Sequence, residues 1–284
     1  MSRDAVGNSF TRWEGRQPDL PAVAVSGPGA REAIGALQAA GERTRRSVEL
    51  IEFAAVEPAR FGIACLGSRL LSGAMPEWRT ARLTGADGKT FDDWRAEAGF
   101  EEPLDSVAVT AGHYAAFLEL GVAGDRPAGI VTSFAAAAGF RVTVEGEGAG
   151  GALDEIAGRL NGLADCAVTG GWLEVRVEHE DPAGRDRMVA KIASTCRDTA
   201  HRRRMSVKAE LLYMDPAGEC GAEVVEALAR AAARHLPGCG RVTARGRHNA
   251  HFLSLIAPAG MLLAANPADA VPVLAAALAE LAGW

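Results

Sequence analysis

Apolar runs and turn residues alternate along the first part of the chain in a strand–helix rhythm. Pro21-Ala22-Val23-Ala24-Val25 is a short apolar run of the buried-strand type, and Ser26-Gly27-Pro28-Gly29 breaks it. Ala30 to Glu42 then reads as an Ala-rich helix, Val48 to Ala54 as a second buried strand, and Arg60 to Ser72 as a further helix leaving through Gly73. Strand, helix, strand, helix in succession predicts an α/β sheet with parallel strands. A polar stretch with Trp78, Trp94 and Pro103 follows, and then an apolar segment at Ser106–Leu120.

The texture changes at Ser133. Phe140 to Glu145 alternates apolar and polar residues at period two, the mark of a half-exposed strand, as do Trp172–Glu178 and Ser206–Tyr213. Leu153–Leu163 and Asp186–His201 read as helices between them, with Cys166–Thr169 as a short strand. The order βαββαβ predicts a two-layer sandwich of an antiparallel sheet and two helices. After Asp215-Pro216-Ala217-Gly218 the first texture resumes, with helices at Ala222–His235 and Ala268–Ala282 and a strand at Met261–Ala264. The expected organisation is a discontinuous α/β core, residues 1–132 and 215–284, with an inserted domain at 133–214.

Composition narrows the classes. The chain has 284 residues, 48% of them hydrophobic, and 36 acidic against 30 basic side chains. That acidic surplus argues against a nucleic-acid binder. No run of about 18 apolar residues predicts a membrane span, and the Met1-Ser2-Arg3-Asp4 start lacks the apolar core of a secretory signal, so a cytoplasmic protein is expected. Five cysteines without a CxxC pair read as small buried hydrophobes. His201-Arg202-Arg203-Arg204 reads as a helix C-terminus whose cations complement the dipole. The glycine-rich Gly146–Gly151 lacks the Lys-Ser/Thr of a phosphate loop and reads as a shortened turn.

Several segments together resemble a known family. Leu50-Ile51-Glu52-Phe53-Ala54-Ala55-Val56-Glu57-Pro58-Ala59-Arg60-Phe61-Gly62, with Leu66-Gly67-Ser68-Arg69, is similar to a run of apolar strand, Asp-Glu-Glu-Gly-Ser-Arg-Phe-Gly and Leu-Gly-Ser. Asp4-Ala5-Val6-Gly7-Asn8 with Arg12-Trp13-Glu14-Gly15-Arg16, the stretch Gly129–Thr132, Arg141–Gly146, Arg247-His248-Asn249-Ala250 and Ala257–Met261 follow in matching order. The family is the zinc-dependent amidohydrolases of the M20 clan, in its allantoate amidohydrolase and N-carbamoyl-amino-acid hydrolase branch. The resemblance implies a zinc-peptidase-like α/β core and a ferredoxin-like βαββαβ lid that also serves dimerisation.

Where the family carries its chemistry, this chain departs. The Ser-His-Leu-Asp-Thr run expected after Val25 is absent, and the general-base position is Val56, leaving Glu57 beside it. His113 is the remnant to set against the family's His-Ile-Glu-Gln-Gly-Pro run, in an ambiguous register. The lid's His-Ala-Gly is replaced by Gly148–Gly151, and its Asp-x-Arg by Glu178-His179-Glu180. Glu57 and His113 alone fall short of the three protein ligands that a catalytic zinc requires. These losses lead to the expectation of a truncated, degenerate homologue. It would be a non-catalytic pseudoenzyme, without a cofactor, that pairs through residues 133–214 with a second copy or an active paralogue. The alternative is an active hydrolase of C–N bonds in ureido or N-carbamoyl compounds with an atypical metal site, zinc included. A metal-free enzyme or small-molecule binder reusing the cleft is the other form of that alternative. Glu57, His113, Glu180, His248 and Asn249 are the polar groups expected near the cleft. A backbone-bonded loop histidine is the plainer account of His248, and a satisfied core or cleft histidine that of His113.

Overall fold

The computed structural model describes every residue except Glu42, Ala59, Ala86 and Gly170. The last residue of the predicted Ala30–Glu42 helix, and Ala59 of the family-like segment, therefore lie outside the described residues. The chain divides into two compact units, Met1–Glu57 with Ala64–Phe134 and Gly218–Trp284, and Pro58–Ile63 with Ala135–Ala217.

In chain order the first unit opens with β1 (Ser2–Arg3), β2 (Ser9–Trp13), β3 (Ala22–Ser26), α1 (Ala30–Ala39) and β4 (Val48–Glu52). Helices α2 (Leu66–Leu71), α3 (Glu77–Ala81) and α4 (Phe91–Glu97) lead to β5 (Tyr114–Val122) and β6 (Gly129–Phe134). The second unit holds β7 (Ala136–Glu145), α5 (Ala149–Leu160), β8 (Asp165–Thr169), β9 (Trp172–His179), α6 (Pro182–Arg203) and β10 (Ser206–Asp215). The chain then completes the first unit with β11 (Gly218–Glu219), α7 (Ala222–His235), β12 (Gly240–Ala244), α8 (Asn249–Leu253), β13 (Ala259–Ala264) and α9 (Pro267–Ala282).

The large sheet of the first unit runs β1-β2-β4-β3-β5-β13-β6-β11, with β12 also paired to β6. Its four central strands, β4, β3, β5 and β13, are mutually parallel, so their carboxyl ends share one edge. Every residue of β3 is buried, which is why its sequence is a continuous apolar run and not an alternation. Ala30, Ala33, Ile34 and Leu37 turn one face of α1 toward the core, at the spacing of an amphipathic helix. They share that core with Val23, Leu50, Leu118, Leu228, Leu274 and Leu278. Each fully buried Leu or Ile side chain contributes about 1.5–3 kcal/mol.

The predicted Arg60–Ser72 helix shortens to α2. Cys65 is left-handed at φ 58 and caps the helix start. The amides of Cys65, Leu66 and Gly67 bond back to the carbonyls of Val56, Ala55 and Ala54, which fastens the 54–56 loop to the helix start. Within Ser106–Leu120 the extended chain starts only at Tyr114. In the second unit the sheet order is β10-β7-β9-β8, all antiparallel. Alternate residues Ala138, Phe140, Val142 and Val144 meet Leu153, Ile156, Leu160 and Ile192 from the two helices. Gly148, at φ 83, precedes α5, and Gly150 and Gly151 sit inside its first turn, so the glycine stretch initiates a helix and is not a bare turn. Arg202 and Arg203, in the last turn of α6, pair with Glu155. Among the described residues no helix is long and apolar enough to cross a membrane.

Candidate active site

Two polar clusters stand out in the first unit, and the first is closed. The Asp4 carboxylate accepts hydrogen bonds from the backbone of Val6 and Asn8 (3.1 and 2.9 Å) and from Asn8 Nδ2 (2.8 Å). Asn8 Nδ2 also donates to the Gly67 carbonyl, and its Oδ1 accepts from Ala54 N at 2.9 Å. A Cβ at Gly67 would stand 2.1 Å from Asn8 Oδ1, so this helix start must be glycine. The Asp4–Asn8 and Leu66–Arg69 motifs are therefore two halves of one structural clamp.

The second cluster is open. At the carboxyl ends of β3, β4 and β5 lies a cleft of about 720 Å³, whose walls include Ser26, Glu52, Glu57, Glu119, Arg247 and Asn249. The carboxyl edge of a parallel sheet is where α/β folds bind ligands. Its floor is backbone: Gly27 has φ +97, and a Cβ there would come within 2.0 Å of the Leu120 carbonyl oxygen. Arg31 pairs with Glu52 at 3.3 Å. Ser26 and Glu119 are register partners on adjacent strands.

Glu119 is 7% exposed, and its charge is met by the start of α8. Its Oε1 accepts from Asn249 Nδ2 (2.9 Å) and N (3.4 Å), and its Oε2 accepts from Ala250 N (2.6 Å). Three buried polar atoms of the cleft residues have no hydrogen-bond partner among the described residues: Ser26 Oγ, Arg247 Nη1 and Asn249 Oδ1. Buried polar atoms are rarely left so in a folded protein, and on residues that line a cleft they make that cleft the candidate binding site. A smaller cavity of about 260 Å³ beside Trp13 and Leu37 holds no such atom among the described residues.

Of the expected site residues, Glu57 and Asn249 line this cleft together. His113 is exposed and lies at the amino end of β5, its ring 4.6 Å from that of Tyr114, while the cleft is formed by the carboxyl end of that strand. The β5 positions that face the cleft are Glu119 to Val122, so His113 lies at the other end of that strand from the cleft. His248 caps α8 and sets its Nε2 3.2 Å from the Arg245 carbonyl, outside the cleft lining. His251 is buried against the rings of Phe134 and Phe252. Glu180 is exposed just beyond β9, in the second unit. Sequence reasoning missed Glu119, although a carboxylate inside the apolar Phe117-Leu118-Glu119-Leu120 run signals a buried acid needing partners.

The cysteines are free. Burial raises the thiols of Cys166 and Cys239, brings Cys196 to about 11 and Cys220 to about 12, so none of these four is a ready nucleophile. Tyr114 donates to Glu49 Oε1 at 2.8 Å, and burial together with that carboxylate raises its hydroxyl pKa.

The dinuclear zinc implied by the family does not fit the residues present. Among the described residues no histidine or cysteine lines the cleft. Both Glu119 oxygens are already engaged by α8. Among the described residues no group of three or more His, Cys, Asp or Glu side chains is placed to hold a metal ion.

No family model matches the chain. It is 30% identical over 328 residues to ureidoglycolate hydrolase of Arabidopsis thaliana, an alignment covering 92% of this chain and 69% of the relative. The chain belongs to the M20-type amidohydrolases. The chain is also 29% identical over 171 residues to the N-carbamoyl-L-amino-acid amidohydrolase of Paenarthrobacter aurescens, over 51% of its own length and 42% of that protein's. Among solved structures, AtUAH in complex with glyoxylate and with (S)-hydroxyglycine superposes at a TM-score of 0.85, with 28% identity, over 99% of this chain and 86% of that one. These relatives are hydrolases, and one was solved with small ligands bound. That finding overturns the expectation of a non-catalytic pseudoenzyme. The missing family groups are an argument about one kind of metal site, and they do not remove the cleft or its polar groups.

Proposed function

We propose that this M20-type amidohydrolase hydrolyses a C–N bond of a small ureido or N-carbamoyl acid in the cleft at the carboxyl ends of β3, β4 and β5. The carrying observation is its similarity, across most of its length, to a ureidoglycolate hydrolase. In the proposed reaction water adds to the ureido carbonyl carbon, the C–N bond breaks, and the nitrogen leaves with a proton. Glu57 is the proton acceptor in this reading: it is exposed at the cleft and has no hydrogen-bond or ion-pair partner among the described residues. The described donor set of the cleft does not fit zinc. Protein grown with zinc is expected to retain under about a tenth of an equivalent.

The test is ammonia release from ureidoglycolate and from N-carbamoyl-L-amino acids. Turnover by the wild type is expected, with Glu57→Gln reducing it about 10²–10⁴-fold. No release above the buffer rate from either class, with and without added zinc, sinks the reading. We also propose that a second copy pairs along the edge strand β8, where Val168 is exposed. Light scattering of a Val168→Lys variant checks this: a shift from dimer to monomer is expected, and a wild-type monomer refutes it.

A further inference from the structure

The orphaned atoms of the cleft have defined polarity. Asn249 Nδ2 donates to Glu119 Oε1, and turning the amide over would set oxygen against carboxylate oxygen. Glu119 therefore fixes the amide so that Oδ1, without a partner in a residue 6% exposed, accepts and cannot donate. Arg247 Nη1 can only donate. Ser26 Oγ, in a residue 2% exposed, sits at the end of β3, one strand from Glu119. It is followed by the Gly27–Gly29 turn and the start of α1, which no side chain caps. An uncapped helix start favours a negative charge.

We infer that Glu119 is a positioning residue that orients Asn249 to accept an N–H of the bound molecule, and that Ser26, Arg247 and the start of α1 form the subsite for its carboxylate. Two poles result, one demanding a donor and the other an anion. A small acid carrying an amide or ureido N–H satisfies both. A keto acid of the same length satisfies only the second. This assignment rests on the cleft being the substrate site, but not on any particular chemical step there.

The test is direct binding by calorimetry, with N-carbamoylglycine and levulinate as probes. Levulinate has the same length, with carbon in place of both nitrogens. The wild type is expected to bind N-carbamoylglycine roughly tenfold or more tightly than levulinate. Arg247→Gln should weaken both probes by a similar factor. Glu119→Gln lets the amide reorient, so it should bring the two affinities within about twofold while levulinate still binds. A purely structural Glu119 would instead change both affinities together. Asn249→Ala, with a thermal midpoint near that of the wild type, is the second variant should Glu119→Gln fail to fold, and it should remove the same preference. Equal affinities in the wild type, no binding of either probe, or an unchanged preference in Asn249→Ala overturns the assignment. Ammonia release is read in parallel. Selective binding without turnover refutes the hydrolase and leaves the site standing, and turnover without the preference refutes the site alone.

Discussion

Asn8 and Asn249 are each gripped by a carboxylate, and they end differently. Asp4 holds Asn8, whose Oδ1 then accepts from Ala54 N, so every polar atom of that side chain is used. Glu119 holds Asn249 in the same manner, yet its Oδ1 has no hydrogen-bond partner among the described residues. Both amides are buried, so desolvation costs about the same. The first cluster recovers that cost within the fold, and the second leaves it to be recovered by something that binds. The same pair of residue types thus serves as a rivet at one place and a reader at the other.

Stability measurements should separate the two most sharply at the closed cluster. Asn8→Ala leaves Ala54 N–H without its side-chain acceptor and takes one donor each from the Gly67 carbonyl and Asp4, and should cost about 3 kcal/mol in urea unfolding. Gly67→Ala attacks the same clamp from the other side. Its Cβ would also stand 2.7 Å from the Ala54 carbonyl oxygen, so a loss of about 2 kcal/mol or more is expected. Asn249→Ala should cost under about 1 kcal/mol, since Glu119 keeps two backbone donors. Its ammonia release should nevertheless fall about tenfold. A stability loss equal to that of Asn8→Ala would erase the distinction.

The smallest expected effect concerns pH. Burial raises the Asp4 pKa, against four hydrogen bonds that lower it. A carboxyl raised in the folded state contributes stability that is fully present below its unfolded pKa and is lost as pH rises through the folded one. The wild type should therefore exceed Asp4→Asn by more at about pH 4 than at about pH 7, by a fraction of a kcal/mol. An unchanged or opposite trend would show that the clamp holds an ordinary carboxylate.

What the sequence disclosed depended on how local the cause was. The helix at Ala222–His235 has the bounds its apolar spacing predicts, because α7 is shaped by one buried face. The strand after Pro21 was visible because β3 is buried on all sides. The strands β2 and β12, written as Ser-Phe-Thr-Arg-Trp and Gly-Arg-Val-Thr-Ala, carry no such signature, since neighbouring strands define them. The site was less legible still. Glu57 and Asn249 were found through the family motifs, but the partner of Asn249 lies 130 residues away and only the sheet register brings it there. His113 rests on the family's His-Ile-Glu-Gln-Gly-Pro run in an ambiguous register, and the direction of β5 removes it from the cleft. The expectation of lost catalysis came from counting absent family groups, and it took no account of polar groups the fold had put in their place.

Gly27 sets a limit on how this protein can be re-engineered. A metal-binding side chain cannot be retrofitted at that position by substitution, because Leu120 already occupies the space its first carbon would need. The neighbouring strand is more permissive: a Cβ at Gly121 would meet side-chain ends of Met261 and Leu263 and no backbone, and Val122 stands open to solvent. A designer adding an imidazole to this cleft would therefore begin on β5 and treat the turn after β3 as fixed masonry.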